Sequence, residues 1–257
     1  NKYGPAYELP LSMIENKLAL TEVRSIYLFR HLATHLLFLL ACFYLYKSIF
    51  LLYKDRILGI VGMLMLLLMP AIYGHSFYNT KDIPFLSFFV FSWYLAIRAY
   101  QQPGIFRFMA LGAMLGLLIN LRIIGAILPV GLLLMYAFAP GGMLLKIKHL
   151  TIGISTCLVV LLASFPFLWS NPIENFGQVY LHFSKVNWDA LVFFNGAPVG
   201  STKLPWYYVP VWFGVTVPIP YLLLGGLGIG AFVWRSLQRP KMLVQDNLLQ
   251  WNALFLI

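Results

Sequence analysis

The stretch Ile57–Tyr100, ILGIVGMLMLLLMPAIYGHSFYNTKDIPFLSFFVFSWYLAIRAY, holds two apolar runs separated by one polar gap. The runs, about 57–73 and 83–100, each approach the roughly 17–25 residues that a helix needs to cross a bilayer. The gap, Tyr73–Phe85, places His75, Asn79, Lys81 and Asp82 within a single turn. Hydrocarbon cannot solvate such groups, so they are costly near it and are kept for a task. The pattern therefore predicts two spans joined by a short loop with chemistry in it.

The rest of the chain repeats this pattern. It has 257 residues, 61% of them hydrophobic and 10% charged, with a mean hydropathy of +0.81. A soluble domain of that size carries about 25% charged residues. An integral membrane protein, an all-α polytopic helix bundle, is the reading that composition allows. The net charge of +10 then belongs to topology and is no nucleic-acid footprint. Cys42 and Cys157 both lie inside apolar runs, so a disulfide is not expected. Neither an internal repeat nor a low-complexity tract is visible.

Eight apolar segments are expected, at about 31–46, 57–73, 83–100, 105–121, 123–139, 150–168, 206–233 and from about 248 onward. The two segments 105–121 and 123–139 are short and could pair as a hairpin. Residues 1–257 are read as one transmembrane domain. Its parts are an outer surface helix over 1–30, about six spans over 31–168, an outer loop over 169–205 and two last spans over 206–257. With Asn1, not Met, at the start and NALFLI at the end, the chain is expected to be a piece of something longer, or a processed form.

Charge sets the direction. With the N-terminus outside, the inner side holds Lys47, Lys54, Arg56, Arg98, Arg107, Lys146, Lys148, Arg235, Arg239 and Lys241 against Asp55 and Asp246, a net +8. The outer side holds eight basic residues against six acidic ones, a net +2. Short inner loops thus follow the positive-inside rule. Every polar cluster with chemical potential then falls outside.

Four outer elements follow. Residues 10–30, PLSMIENKLALTEVRSIYLFR, place apolar side chains near helical spacing with charges between them and predict one amphipathic surface helix. The opening stretch and the turn INLRIIG, Ile119–Gly125, are two more. The fourth is the segment from Trp169 to Tyr208, where Asn195-Gly196 predicts a turn or small hairpin.

Among candidate residues, Asp82 offers a carboxylate that can act as a base, orient an acceptor or hold a cation. Its simpler role is an N-cap of the next helix. Arg122 interrupts an apolar run, and its guanidinium fork matches phosphate oxygens; the simpler role is snorkelling to outer headgroups. His75, Asn79 and Asn120 are weaker candidates for lining a substrate cavity. Trp206 and Tyr207, after Lys203, form either an aromatic belt or a platform for a sugar or polyprenyl chain. Phosphate-binding glycine loops, Cys/His metal spacing and a serine elbow are not found.

Four stretches then occur in order: RHLATHLLFLLACFYLY, MPAIYGHSFYNTKDIPF, NLRIIGAILP and FFNGAPVGSTKLPWYYVPVWFGVTVPIPYLLL. Together, from about Tyr3 to Gly228, they resemble a bacterial branch of the GT-C class of integral-membrane glycosyltransferases. These are relatives of the dolichyl-phosphate-mannose protein mannosyltransferases and of the lipid A aminoarabinose transferase. The branch usually shows Pro where this chain has Thr80.

The resemblance implies transfer of a sugar from a polyprenyl-phosphate carrier to a protein or lipid acceptor, usually with inversion, outside the bacterial inner membrane. It assigns Asp82 to the family's second acidic position and Arg122 to a basic residue on the carrier phosphate. Lys81 and Lys203 are further donor-binding candidates. The tail of the first outer loop would be the helix at 10–30. No acidic pair precedes residue 31, so the usual catalytic acid is expected upstream of Asn1, and Glu8 is the best remaining carboxylate within the chain. If a metal takes part, Mg or Mn at Asp82 is the expectation. A secondary transporter or a non-catalytic membrane subunit are the competing readings. Transporters place charges near mid-membrane in repeated halves, whereas here the charges sit at outer ends.

Overall fold

The structure is a computed structural model that describes residues 4–138, 142–184 and 190–238. The expected segment from about 248, and Lys185 to Asp189 of the outer loop, lie outside the described residues.

A short helix α1 (Glu8–Lys17) precedes the longest one, α2 (Val23–Tyr53). Two helices follow, α3 (Arg56–Leu67) and α4 (Pro70–Tyr78), bent by 64° against each other. Next come α5 (Asp82–Gln101), α6 (Ile105–Leu121), a 3-10 turn (Ile123–Ala126) with α7 (Ile127–Phe138), and α8 (Met143–Ser164). Beyond them are α9 (Pro172–Ser184), a hairpin of β1 (Leu191–Phe194) and β2 (Ala197–Gly200), and the helices α10 (Tyr208–Thr216) and α11 (Ile219–Gln238). The protein is an all-α-helical membrane bundle with one small hairpin among its described residues.

By length and composition α2, α5 and α8 can each cross a membrane, and the bent pairs α3/α4 and α10/α11 raise the count to five. The helices α6 and α7 are apolar but shorter. The predicted span at 206–233 breaks at Val217-Pro218, where α10 and α11 meet at 119°. Proline supplies no amide hydrogen to continue the ladder. At Pro70 the same residue starts α4 at a position where the missing N–H costs nothing.

The single helix expected over 10–30 is two. After α1 ends, Ala19 takes a positive φ of 50°, and Glu22 is extended at φ −76°, ψ 128° before α2 begins. The Ser25 hydroxyl donates to the Glu22 carboxylate at 3.1 Å. Residues 23–30 are thus the first turns of the long helix. The Asp55 carboxylate caps α3, accepting from Ile57 N at 2.8 Å and Leu58 N at 3.1 Å. Asn195 and Gly196 both take positive φ, 50° and 83°, as a two-residue hairpin turn of the favoured hand requires. The pairing of Leu191 with Gly200 and of Phe194 with Ala197 follows.

The core lies among α5, α6, α7 and α8, with Trp93, Ile97, Phe108, Leu118, Leu132 and Tyr136 buried. Glycines let α6 and α8 touch. A Cβ on Gly112 would collide with the Gly153 carbonyl, and one on Gly116 would lie 2.6 Å from Cys157 O. Such close backbone approach is how helices pack in lipid, where apolar side chains gain little from meeting one another. Hydroxyls within the bundle turn back on their own helices: Ser48 to Tyr44 O, Ser87 to Ile83 O and Thr156 to Ile152 O, each at 2.8 Å. No water is needed to satisfy them. An apolar cavity of about 180 Å3 is bordered by Ala99, Phe108, Leu115, Leu132, Tyr136 and Cys157.

Candidate functional site

The start of α2, the turn between α4 and α5, the end of α6 and the end of α8 meet at one end of the bundle. Asn79 organises the α4–α5 turn. Its Oδ1 accepts from Lys81 N at 3.2 Å and Asp82 N at 2.9 Å. These are two of the amides that a helix start leaves unpaired. Its Nδ2 donates to Asp82 Oδ2 at 2.9 Å and sits 3.3 Å from His75 Nδ1. Asn79 is therefore the residue that caps α5, and the Asp82 side chain is left for something else.

That something is Arg122, whose Nη2 forms an ion pair with Asp82 Oδ1. Arg122 follows α6 in an extended conformation, φ −150° and ψ 131°, which turns its side chain out of the helix. Gly125 N donates to Arg122 O at 2.8 Å and closes the turn. Both partners remain accessible, Asp82 at 55% and Arg122 at 40% side-chain exposure, but Arg122 Nε is buried and has no hydrogen-bond partner. The guanidinium thus has one nitrogen on a carboxylate and its buried Nε–H unused. Asp82 also gains from its place at the positive end of α5.

Asn120 lies inside, 2% exposed. Its Oδ1 accepts from Ala6 N at 3.0 Å, and its Nδ2 donates to Ser164 O at 2.9 Å and Ser164 Oγ at 3.0 Å. Both amide hydrogens are taken. Glu8 shares Arg30 with Glu15: Arg30 Nη1 meets Glu8 Oε2 at 2.9 Å, while Nε and Nη2 hold the two Glu15 oxygens at 2.6 and 2.9 Å. The bidentate hydrogen bonding from Arg30 holds the Glu15 carboxyl below its ordinary value of 4.5. Glu15 is buried by this fork, although its spacing in the sequence puts it on a polar helix face.

The segment 4–18 forms a strap over this end. Tyr7 and Leu11 pack on Leu121, Phe85 and Phe88, and the Tyr7 hydroxyl lies 2.9 Å from Thr34 Oγ1. A second tie escapes sequence reading. His35 Nδ1 is 2.9 Å from Ser76 Oγ, which itself donates to Tyr73 O at 2.6 Å. His35 also stacks on Phe77 at 4.2 Å. This fastens α4 to α2 and so steadies the turn that carries Asn79. Nothing in the spacing of His35 and Ser76 marks the pair.

The expected site residues thus divide. Asp82, Asn79, His75 and Arg122 form one bonded chain, with Lys81 inside the same turn. Glu8 belongs to the Arg30 fork. Lys203 sits in the 3-10 turn Ser201–Lys203, Trp206 is 87% exposed and Tyr207 lies 6.0 Å from Phe194 of the hairpin. Among the described residues no hydrogen bond or ion pair joins Lys203, Trp206 or Tyr207 to Asp82 or Arg122. Nor do three His, Cys, Asp or Glu side chains converge as metal ligands among them. Around Asp82 the donor set is one carboxylate, already paired with a guanidinium, one amide and the His75 ring.

A family model described as dolichyl-phosphate-mannose-protein mannosyltransferase matches residues 16–169. The match contains His75, Asn79, Lys81, Asp82, Asn120 and Arg122, and leaves Glu8, Lys203, Trp206 and Tyr207 outside. No curated protein and no solved structure matches the chain.

Proposed function

Because the chain belongs to the dolichyl-phosphate-mannose-protein mannosyltransferase family, a family of membrane glycosyltransferases, we propose that it transfers a sugar from a polyprenyl-phosphate carrier to a protein or lipid acceptor at the outer face of the bacterial inner membrane. The observation that carries this reading is the accessible Asp82–Arg122 pair at the end where four helices meet. The excess of basic residues in the short inner loops supports the outward orientation.

In this reading Arg122 receives the carrier phosphate, with Lys81 adding positive charge. A guanidinium matches phosphate oxygens in a two-pronged fit. The acceptor oxygen or nitrogen attacks the anomeric carbon, the bond from that carbon to the phosphate oxygen breaks, and the electron pair leaves with the phosphate. Charge stabilisation on the departing group is commonly the largest catalytic contribution. As phosphate takes Arg122, one Asp82 oxygen is released from its ion pair. It is then available to orient the acceptor or accept its proton, while Asn79 holds the other oxygen in place.

The test is release of carrier from a polyprenyl-phosphate sugar by the purified protein with a membrane extract as acceptor source. Arg122→Ala is expected to lower kcat/KM by roughly 10²–10³-fold, the size of losing one positioned charge donor. Asp82→Asn is expected to lower kcat by about 10²–10⁴-fold with the fold intact. Unchanged carrier release by Arg122→Ala would remove the phosphate assignment and favour simple snorkelling.

A further inference from the structure

We infer that Asn120 is a positioning residue for the carrier phosphate: it clamps the outer strap and the end of α8 to the end of α6, and thereby presets Arg122. The inference rests on the reading of Arg122 just given.

The side chain joins three distant pieces of chain at one buried point. Ala6 is 114 positions away and Ser164 is 44. The contact is close enough on the strap side that a Cβ on Gly4 would collide with the Asn120 carbonyl and amide oxygens. On the α8 side, Ser164 Oγ donates its single hydrogen to Val160 O at 2.7 Å. Its lone pairs therefore face Asn120 Nδ2, which fixes the amide with its oxygen toward Ala6. One flipped amide would place oxygen against oxygen on one side and N–H against N–H on the other. Strap, α6 and α8 are thus tied at one point by one residue.

Arg122 leaves α6 immediately after this clamp. Its Nε has no protein partner and its Nη2 reaches Asp82, so how well that ion pair forms depends on where the backbone releases the residue. With Asn120 locked, the extended turn at Arg122 and the ion pair to Asp82 follow from one arrangement of α6. Without it, the Ala6 N–H and the Ser164 carbonyl lose their buried partner, and the end of α6 is held by apolar contacts and the Asp82–Arg122 ion pair. A ligand that needs the guanidinium at a defined place then binds more weakly, because it must supply the ordering itself.

Binding of polyprenyl phosphate to the chain in nanodiscs tests this, with the uncharged polyprenol of the same length as control. Asn120→Ala is expected to weaken polyprenyl-phosphate binding about tenfold and to leave polyprenol uptake unchanged. Arg122→Ala is expected to weaken it more, and the double variant is expected to match Arg122→Ala within about twofold, since residues acting through one another are not additive. Amide exchange at Ala6 should accelerate in Asn120→Ala and stay as it is in Arg122→Ala. Faster Ala6 exchange with unchanged phosphate binding would make Asn120 a purely structural clamp and overturn the inference. So would full additivity in the double variant. Should Asn120→Ala not fold, Ser164→Ala removes one Nδ2 acceptor only and is expected to weaken binding about threefold in the same direction; an unchanged affinity there also overturns the proposal. If Arg122→Ala binds normally, the phosphate reading itself fails and this inference falls with it, while Ala6 exchange still reports whether the clamp exists.

Discussion

Glu15 and Arg30 illustrate what single residues do here and how far a sequence reveals it. Both were visible as charges near an apolar run, but their partnership spans 15 positions and two helices that a single predicted helix would have merged. Asp82 and Arg122 stood out in the sequence because each is an ionic group in an apolar setting, and hydrocarbon leaves such groups few places to go. Asn79 as the cap and Asn120 as the clamp were not readable, since an amide's role depends on which backbone groups come to it. The Arg30 fork carries its own test. Its hydrogen bonds hold the Glu15 carboxyl below 4.5, so the docked strap favours the ionised form. That contribution is complete above the ordinary glutamate value and is lost as pH falls through the lowered one. The thermal midpoint of the protein in detergent should therefore drop more steeply between about pH 5 and pH 3 than that of Glu15→Gln, which lacks the contribution at every pH. Parallel curves for the two proteins would remove the fork from the account of strap docking.

At the scale of helices, hydrophobic runs located the long elements well and their interruptions poorly. The segments at 83–100, 105–121 and 150–168 correspond to α5, α6 and α8 within a few residues at most ends. The breaks at Pro70 and Pro218 and the division of 10–30 came from backbone geometry that apolar content hides. The segment Trp169 to Tyr208, expected as a loop with a turn, also contains α9, whose Asn175 holds Phe167 O at 2.6 Å. Helix pairing was likewise unreadable before α6 and α8 were seen together, because glycine says nothing of its partner. That pairing predicts an asymmetry. Gly112→Leu must push α8 away and should lower the thermal midpoint strongly or prevent folding, a steric change of the kind that costs several kcal/mol, about 3 or more. Gly153→Ala, whose new Cβ would meet its nearest neighbour at an ordinary 3.5 Å, should fold with a midpoint near that of the parent. Equal damage from both would mean that α6 and α8 do not meet through these glycines.

Over the whole molecule, the Asp82–Arg122 cluster lies at one end of the bundle and a second, aromatic-lined polar contact at the other. Tyr136 OH meets His149 Nδ1 at 3.0 Å, and His149 stacks on Phe108 at 4.8 Å, far along the helices from the Asp82 turn. The proposed orientation, with the N-terminus outside, rests on charge and can be measured directly. In a background without Cys42 and Cys157, both buried, cysteine at Asn79 or Ser201 should react with an impermeant thiol reagent on intact cells. Reaction only after the membrane is opened would reverse the protein and turn the site toward the cytoplasm.

The bend at Pro70 sets how deep that site lies. The helix α3 has 12 residues and α4 nine, so at about 1.5 Å per residue and with the 64° bend they advance roughly 24 Å along the axis of α3. The hydrocarbon is about 30 Å thick. In the proposed orientation, a turn that stops short of the full thickness would leave the carboxylate and guanidinium below the level of the outer headgroups. On the proposed reading, a headgroup tethered to a membrane-bound chain would reach them by sliding sideways, with its tail in oil throughout. The reacting group would then be delivered by diffusion in two dimensions, and of the two substrates only a protein acceptor would have to arrive from water.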